Sequence, residues 1–144
     1  MTTPVAPSPT VRPSPTEALP DKVDIEAAGA LAIPATTDAD WVVLVDGNAW
    51  VAGTGDGIGV YDPAGELVAS VAVQGWCASM DTGFGAVWSA SCQPSGLIRI
   101  DAASRAVERV ELEEPIPNSE AAVGAGEGAV WVVVGVRADT LLGV

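Results

Sequence analysis

The chain reads as all-β, and three observations carry that reading. No apolar pattern of helical period is sustained over about 11 residues. From about residue 35, short runs of Val, Ala, Ile and Trp are separated by Gly, Asp, Asn and Pro, which is how strands and turns alternate. One strand-turn-strand segment also recurs three times: Val45-Asp-Gly-Asn-Ala-Trp50, Gly83-Phe-Gly-Ala-Val-Trp88 and Gly126-Glu-Gly-Ala-Val-Trp131.

Residues 1–34 form a lead-in of different character. The first twenty residues hold six of the eleven prolines, mixed with Ser and Thr. Such a segment stays extended and solvated, because it has too little apolar surface to offset the entropy of ordering. Pro4-Val-Ala-Pro7 fits a PxxP spacing for an SH3-type groove, but in a tract this rich in proline the spacer reading is preferred. A charged n-region, an apolar h-region and a small-residue cleavage site are all missing. The chain therefore either stays inside the cell or is secreted by a segment that this sequence does not contain.

Residues 35–144 carry the repeat, whose tryptophans stand 38 and then 43 residues apart. Each of the first two tryptophans is followed by a second shared element, Ile58-Gly-Val-Tyr-Asp62 and Leu97-Ile-Arg-Ile-Asp101. A third follows, Leu67–Val73 and Ala106–Leu112. In the middle copy the strands are predicted at Cys77–Thr82, Ala86–Ser91, Leu97–Asp101 and Ala106–Leu112. The first hairpin of every copy closes on an x-Gly pair, Asp46-Gly47, Phe84-Gly85 and Glu127-Gly128, where glycine supplies the positive φ of a two-residue loop. Four-stranded antiparallel units at a period near 40 are the mark of a β-propeller blade. Aligned on Trp131, Leu141–Val144 takes the place of Leu97–Ile100. The expected architecture is a partial β-propeller of about two and a half blades, an incomplete ring with open faces that invite self-association. A piece of a longer propeller is favoured, and a ring assembled from several copies is the alternative.

The Gly-x-Gly-x-Val-Trp strand followed by Leu-Ile-Arg-Ile-Asp resembles the repeats of the streptogramin B lyase (virginiamycin B lyase) family and of the related YncE-like and NHL-like propellers, over residues 35–144. The resemblance implies the propeller fold. Lyase members of that family are metal-assisted eliminating enzymes that rely on histidines in later blades, and this chain has no histidine. It implies an activity only for the alternative reading, in which the chain is the N-terminal part of such an enzyme without its catalytic blades.

Composition narrows the function further. Nineteen Asp and Glu against six Lys and Arg give a net charge of −13, which repels a phosphate backbone or an anionic membrane. No apolar run approaches the roughly 20 residues of a membrane-spanning helix. Without histidine the usual general base, the commonest metal ligand and a Ser-His-Asp triad are all missing. No cofactor, catalytic residue or metal site is expected. The function expected is a non-catalytic binding or interaction module for a small molecule or a protein.

Four sets of residues are singled out. Folding the hairpin about Phe84-Gly85 pairs 82 with 87, 80 with 89 and therefore Cys77 with Cys92, which predicts a disulfide and an oxidising, extracytoplasmic compartment. Two buried free thiols in a cytoplasmic chain are the alternative. Trp50, Trp88 and Trp131, repeated once per copy, are read as packing between neighbouring blades. Trp41 and Trp76, near the start of the first strands, are the candidate binding residues, with packing as their other role. Asp62 and Asp101 share a repeat position just beyond an apolar strand, where an aspartate accepts hydrogen bonds from its own turn. Gly53–Gly59 matches no phosphate-loop pattern and is read as a connection between strands. Asp38-Ala-Asp40 and Glu111–Glu114 lack calcium-loop spacing and are read as solvated acids.

Overall fold

The computed structural model describes residues 27, 29–30, 32–35, 39–53, 57–116, 121–135, 137 and 139–144. The lead-in residues 1–26, including the PxxP spacing, lie outside the described residues, as do 36–38 and 54–56, which take Asp38 and the centre of the Gly53–Gly59 connection with them. Ala32–Val144 forms one compact unit. Among the described residues there is no helix, and eleven strands form three antiparallel sheets in sequence order.

The first sheet is β1 (Trp41–Val45), β2 (Asn48–Ala52), β3 (Gly57–Tyr61) and β4 (Leu67–Ala72). The second is β5 (Trp76–Gly83), β6 (Ala86–Cys92), β7 (Ser95–Asp101) and β8 (Val107–Glu111). The third holds β9 (Val123–Gly126), β10 (Ala129–Val134) and β11 (Thr140–Gly143), with β10 in the middle. The four strands predicted for the middle copy are found within two residues at every end.

The hairpins of the three copies close alike. Asp46 and Gly47, Phe84 and Gly85, and Glu127 and Gly128 all have positive φ, the signature of a type I′ turn. A Cβ on Gly47, Gly85 or Gly128 would meet nothing within 4 Å, so backbone conformation alone requires glycine there. The turn in turn sets the register: Val45 pairs with Asn48, Gly83 with Ala86 and Gly126 with Ala129.

Successive side chains on a strand point to opposite faces, and the core follows that alternation. One apolar cluster joins Trp50, Ala52, Ile58 and Val60 of the first sheet to Met80, Val87, Ile98 and Ile100 of the second. A second cluster joins Ala86, Trp88, Ala90 and Leu97 of the second sheet to Val130, Val132 and Val134 of the third. The middle sheet is thus covered on both faces, which is why β6 from Ala86 to Ser91 is buried throughout and carries no charge. Its outer edge strand β8 is exposed and reads Val-Glu-Arg-Val-Glu, charges that discourage edge pairing.

Trp50 and Trp88 are 2% and 9% exposed, whereas Trp131 is 41% exposed. The expectation that all three pack between sheets is therefore corrected for Trp131. Val130 and Val132 turn toward the second sheet, so Trp131 faces the other way, where no described sheet covers it.

Side chains of β5 tie the second and third sheets together at their first strands. The Ser79 hydroxyl donates to the Ala121 carbonyl (3.3 Å) and accepts from the Val123 N–H (2.9 Å), and Asp81 Oδ2 accepts from the Ala125 N–H (2.8 Å). The approach is close enough that a Cβ on Gly83 would stand 2.8 Å from the Ala125 Cβ. Between the first and second sheets the connection is latched from outside. The Arg109 guanidinium donates to the Ser91 hydroxyl (2.7 Å) and to the Gln74 carbonyl, and the Cys92 N–H to the Gly75 carbonyl (3.2 Å).

The Ser89 hydroxyl sits on the face of β6 turned to the first sheet, fully buried, with no hydrogen-bond partner. A buried hydroxyl left unpaired costs about 1–3 kcal/mol. Ser89→Ala is therefore expected to raise stability by about 1 kcal/mol in equilibrium urea unfolding; a destabilised variant would reveal a partner for the hydroxyl.

Candidate functional site

Where the β1–β2 and β5–β6 turns come side by side, a cleft of about 290 Å³ opens. Leu44, Val45 and Asp46 line it from the first hairpin, Thr82, Gly83, Gly85 and Ala86 from the second, and Ala102 from the turn after β7. The Ala102 N–H donates to the Gly85 carbonyl (3.0 Å), which fixes the floor. Two of these residues are glycines for structural reasons: Gly85 has the positive φ of the type I′ turn, and Gly83 stands against Ala125 of β9. The lip carries Leu44, 73% exposed, and the exposed Asp46 carboxylate, with the Phe84 ring, 54% exposed, on the adjoining turn.

The cleft therefore offers an apolar wall, one carboxylate, one hydroxyl and backbone accessible past small side chains. It pairs no nucleophile with a base, and among the described residues no three His, Cys, Asp or Glu side chains gather as metal ligands. Such a surface can hold a group against its apolar wall.

The other singled-out residues do not line the cleft, although Asp101 precedes Ala102 and pairs with Ala86. Trp41 and Trp76 begin β1 and β5, at the opposite ends of those strands from the cleft. Both are half-buried against the cluster between the first and second sheets, and neither lines the cleft. Asp62 and Asp101 sit in outer turns. Asp62 Oδ1 accepts from the Ala64 and Glu66 N–H groups (2.9 Å each). Asp101 Oδ1 accepts from the Ser104 N–H and hydroxyl (2.8 Å each), and its Oδ2 faces Arg99 at 3.4 Å. Arg99 also meets Glu108 at 3.1 Å and lies over the Trp88 ring at 6.0 Å.

The Ser104 backbone N–H, its hydroxyl and then the Ala103 N–H and Arg99 favour the charged form of Asp101 and lower its pKa below the ordinary 3.8. A depressed acid stabilises the fold above its ordinary value and loses that contribution as pH falls through the lower, folded value. Amide exchange at Ser104 is therefore expected to accelerate as pH drops below 3.8, beyond the intrinsic change, and Asp101→Asn is expected to abolish that dependence.

Cys77 and Cys92 are joined by a disulfide with a Cα–Cα distance of 5.8 Å. The ladder between them is not straight, however. Thr82 pairs with Val87 and Met80 with Ser89 as the hairpin predicts, but Trp76 pairs with Ser91 where an unbroken register would give Gln93. A bulge between Trp76 and Met80 absorbs the difference, so the two cysteines do not oppose each other across a regular ladder.

Sequence reasoning missed Ser79, Asp81 and the cleft. A signal for the first two was present, since Asp81 is an acid inside a strand and shares a face with Ser79 and Gly83, a polar stripe that must meet donors. The cleft has no such signal, because it arises from two turns 38 residues apart. No protein-family model matches the chain, and no curated protein matches its sequence.

Proposed function

We propose that residues 35–144 are blades of a partial β-propeller of the streptogramin B lyase-like repeat class, serving as a non-catalytic, extracytoplasmic binding module that takes its ligand in the cleft between the first two hairpin turns. The observation that carries the binding reading is the cleft, an apolar and acidic concavity between successive copies of the repeat. The blade reading is supported by the strand order within each sheet and by the meeting of β1 with β5 and β5 with β9, first strand to first strand. The extracytoplasmic reading is supported by the Cys77–Cys92 disulfide.

The chemistry of the lip selects the ligand class. Asp46 beside Leu44, on a chain of net charge −13, favours a group with a positive charge on an apolar body, such as an alkylammonium or the side chain of an arginine. Titration of the labelled protein with tetramethylammonium, followed by amide chemical shifts, tests this. Saturable shifts are expected at Leu44–Asp46, Thr82–Ala86 and Ala102, none with acetate, and a several-fold weaker response in Asp46→Asn. Shifts scattered over the acidic surface, or an unchanged response in Asp46→Asn, would overturn the reading.

A further inference from the structure

The tips of the three hairpin turns stand in one row. The first and second turns line the cleft together. Beyond it β5 runs alongside β9 in the same direction, with Ser79 bonded to Ala121 and Val123, Asp81 to Ala125, and Gly83 against Ala125. The third turn, Glu127-Gly128, therefore follows the second as the second follows the first. Each turn puts a different side chain at its first central position, Asp46, Phe84 and Glu127, all exposed and all at positive φ. A type I′ turn favours asparagine, aspartate or glycine there, and for a bulky residue a positive φ is an outlier. Phe84 departs from that preference at φ 55° while 54% exposed, so neither turn geometry nor core packing accounts for a phenylalanine.

We propose that this row of acid, aromatic ring and acid docks an extended basic segment of a partner protein, one with two basic side chains four residues apart and an apolar side chain midway between them. The proposal rests on the cleft reading above and names its partner. Charge complementarity determines the occupant, because carboxylates at both ends of the row, on a chain of net charge −13, attract cations. Between them the exposed ring takes an apolar side chain against its face. Spacing determines the conformation. Face-to-face sheets lie about 10 Å apart, so two such steps put Asp46 and Glu127 no more than about 20 Å from each other. An extended segment advances about 3.3 Å per residue and turns alternate side chains to one face, so residues i, i+2 and i+4 span about 13 Å. They meet Asp46, Phe84 and Glu127 in turn, with the long basic side chains covering the remaining distance.

Titration of the labelled full chain with the peptide acetyl-Arg-Thr-Leu-Thr-Arg-amide tests this, against the same peptide with glutamine for its second arginine. Saturable amide shifts are expected at Asp46, Phe84 and Glu127 and at the glycine after each. The two-arginine peptide should bind several-fold tighter at low salt and lose that margin as salt screens the charges. Glu127→Gln should bring the two-arginine peptide to the level of the control and leave the tetramethylammonium response at Leu44–Asp46 unchanged, since Glu127 lies outside the cleft. Phe84→Asn should weaken both peptides several-fold while melting no lower than the parent, because asparagine accepts a positive φ more readily than phenylalanine. Equal affinity for the two peptides, indifference to Glu127→Gln, undiminished binding by Phe84→Asn, or shifts spread over the acidic surface would overturn the proposal. A tetramethylammonium response that survives such a result keeps the cleft reading, and loss of both overturns the two together.

Discussion

Trp50→Ala lowers the stability of the chain by about 3–5 kcal/mol, the range for removing a fully buried indole without collapse of the space it leaves. Trp50 is 2% exposed and sits at the centre of the cluster that joins the first sheet to the second, so its removal opens a cavity at the contact between sheets. Trp131→Ala, at the same repeat position, is expected to cost less, about 1–2 kcal/mol, since 41% of that residue's surface is already in water. Urea unfolding of both variants checks this. Equal costs at the two positions would mean that the repeat position, and not the covering sheet, determines the burial.

Removing the disulfide is the second large effect. The bridge closes a loop of 15 residues, for which the chain-entropy relation gives about 3 kcal/mol. The double variant Cys77→Ser/Cys92→Ser is accordingly expected to unfold with a stability lower by about that amount, and unreduced protein alkylated in denaturant should show no free thiol. The loss should appear first as faster amide exchange in β5, because the bulge between Trp76 and Met80 leaves that end of the strand with fewer ladder hydrogen bonds to hold it. A variant as stable as the parent would show that the bulged end is held without the bridge.

Much of this fold is legible in the sequence because its signals are local. The x-Gly pairs announce type I′ turns, the turns determine register, and register brings Cys77 near Cys92. What the sequence does not show depends on neighbours. Nothing in Gly126-Glu-Gly-Ala-Val-Trp131 distinguishes it from its two counterparts, yet Trp131 is exposed because burial is a property of the next sheet. The bulge before Met80 is equally silent, since Trp76–Met80 alternates as an ordinary strand would. The cleft is a third case: its two glycines are required by turn geometry and inter-sheet packing, and only the juxtaposition of two turns makes a concavity.

The sheets stack in series, with the Trp50 and Trp88 faces each covered by the following sheet. Nuclear Overhauser contacts of the three repeat indoles test this most directly, in dilute solution. The expected result is contact from Trp50 to apolar side chains of the second sheet, Met80, Val87, Ile98 and Ile100, and from Trp88 to Val130, Val132 and Val134 of the third, with Trp131 contacting only its own sheet. Contacts from Trp50 to the third sheet, or from Trp131 to the first within one chain, would contradict it.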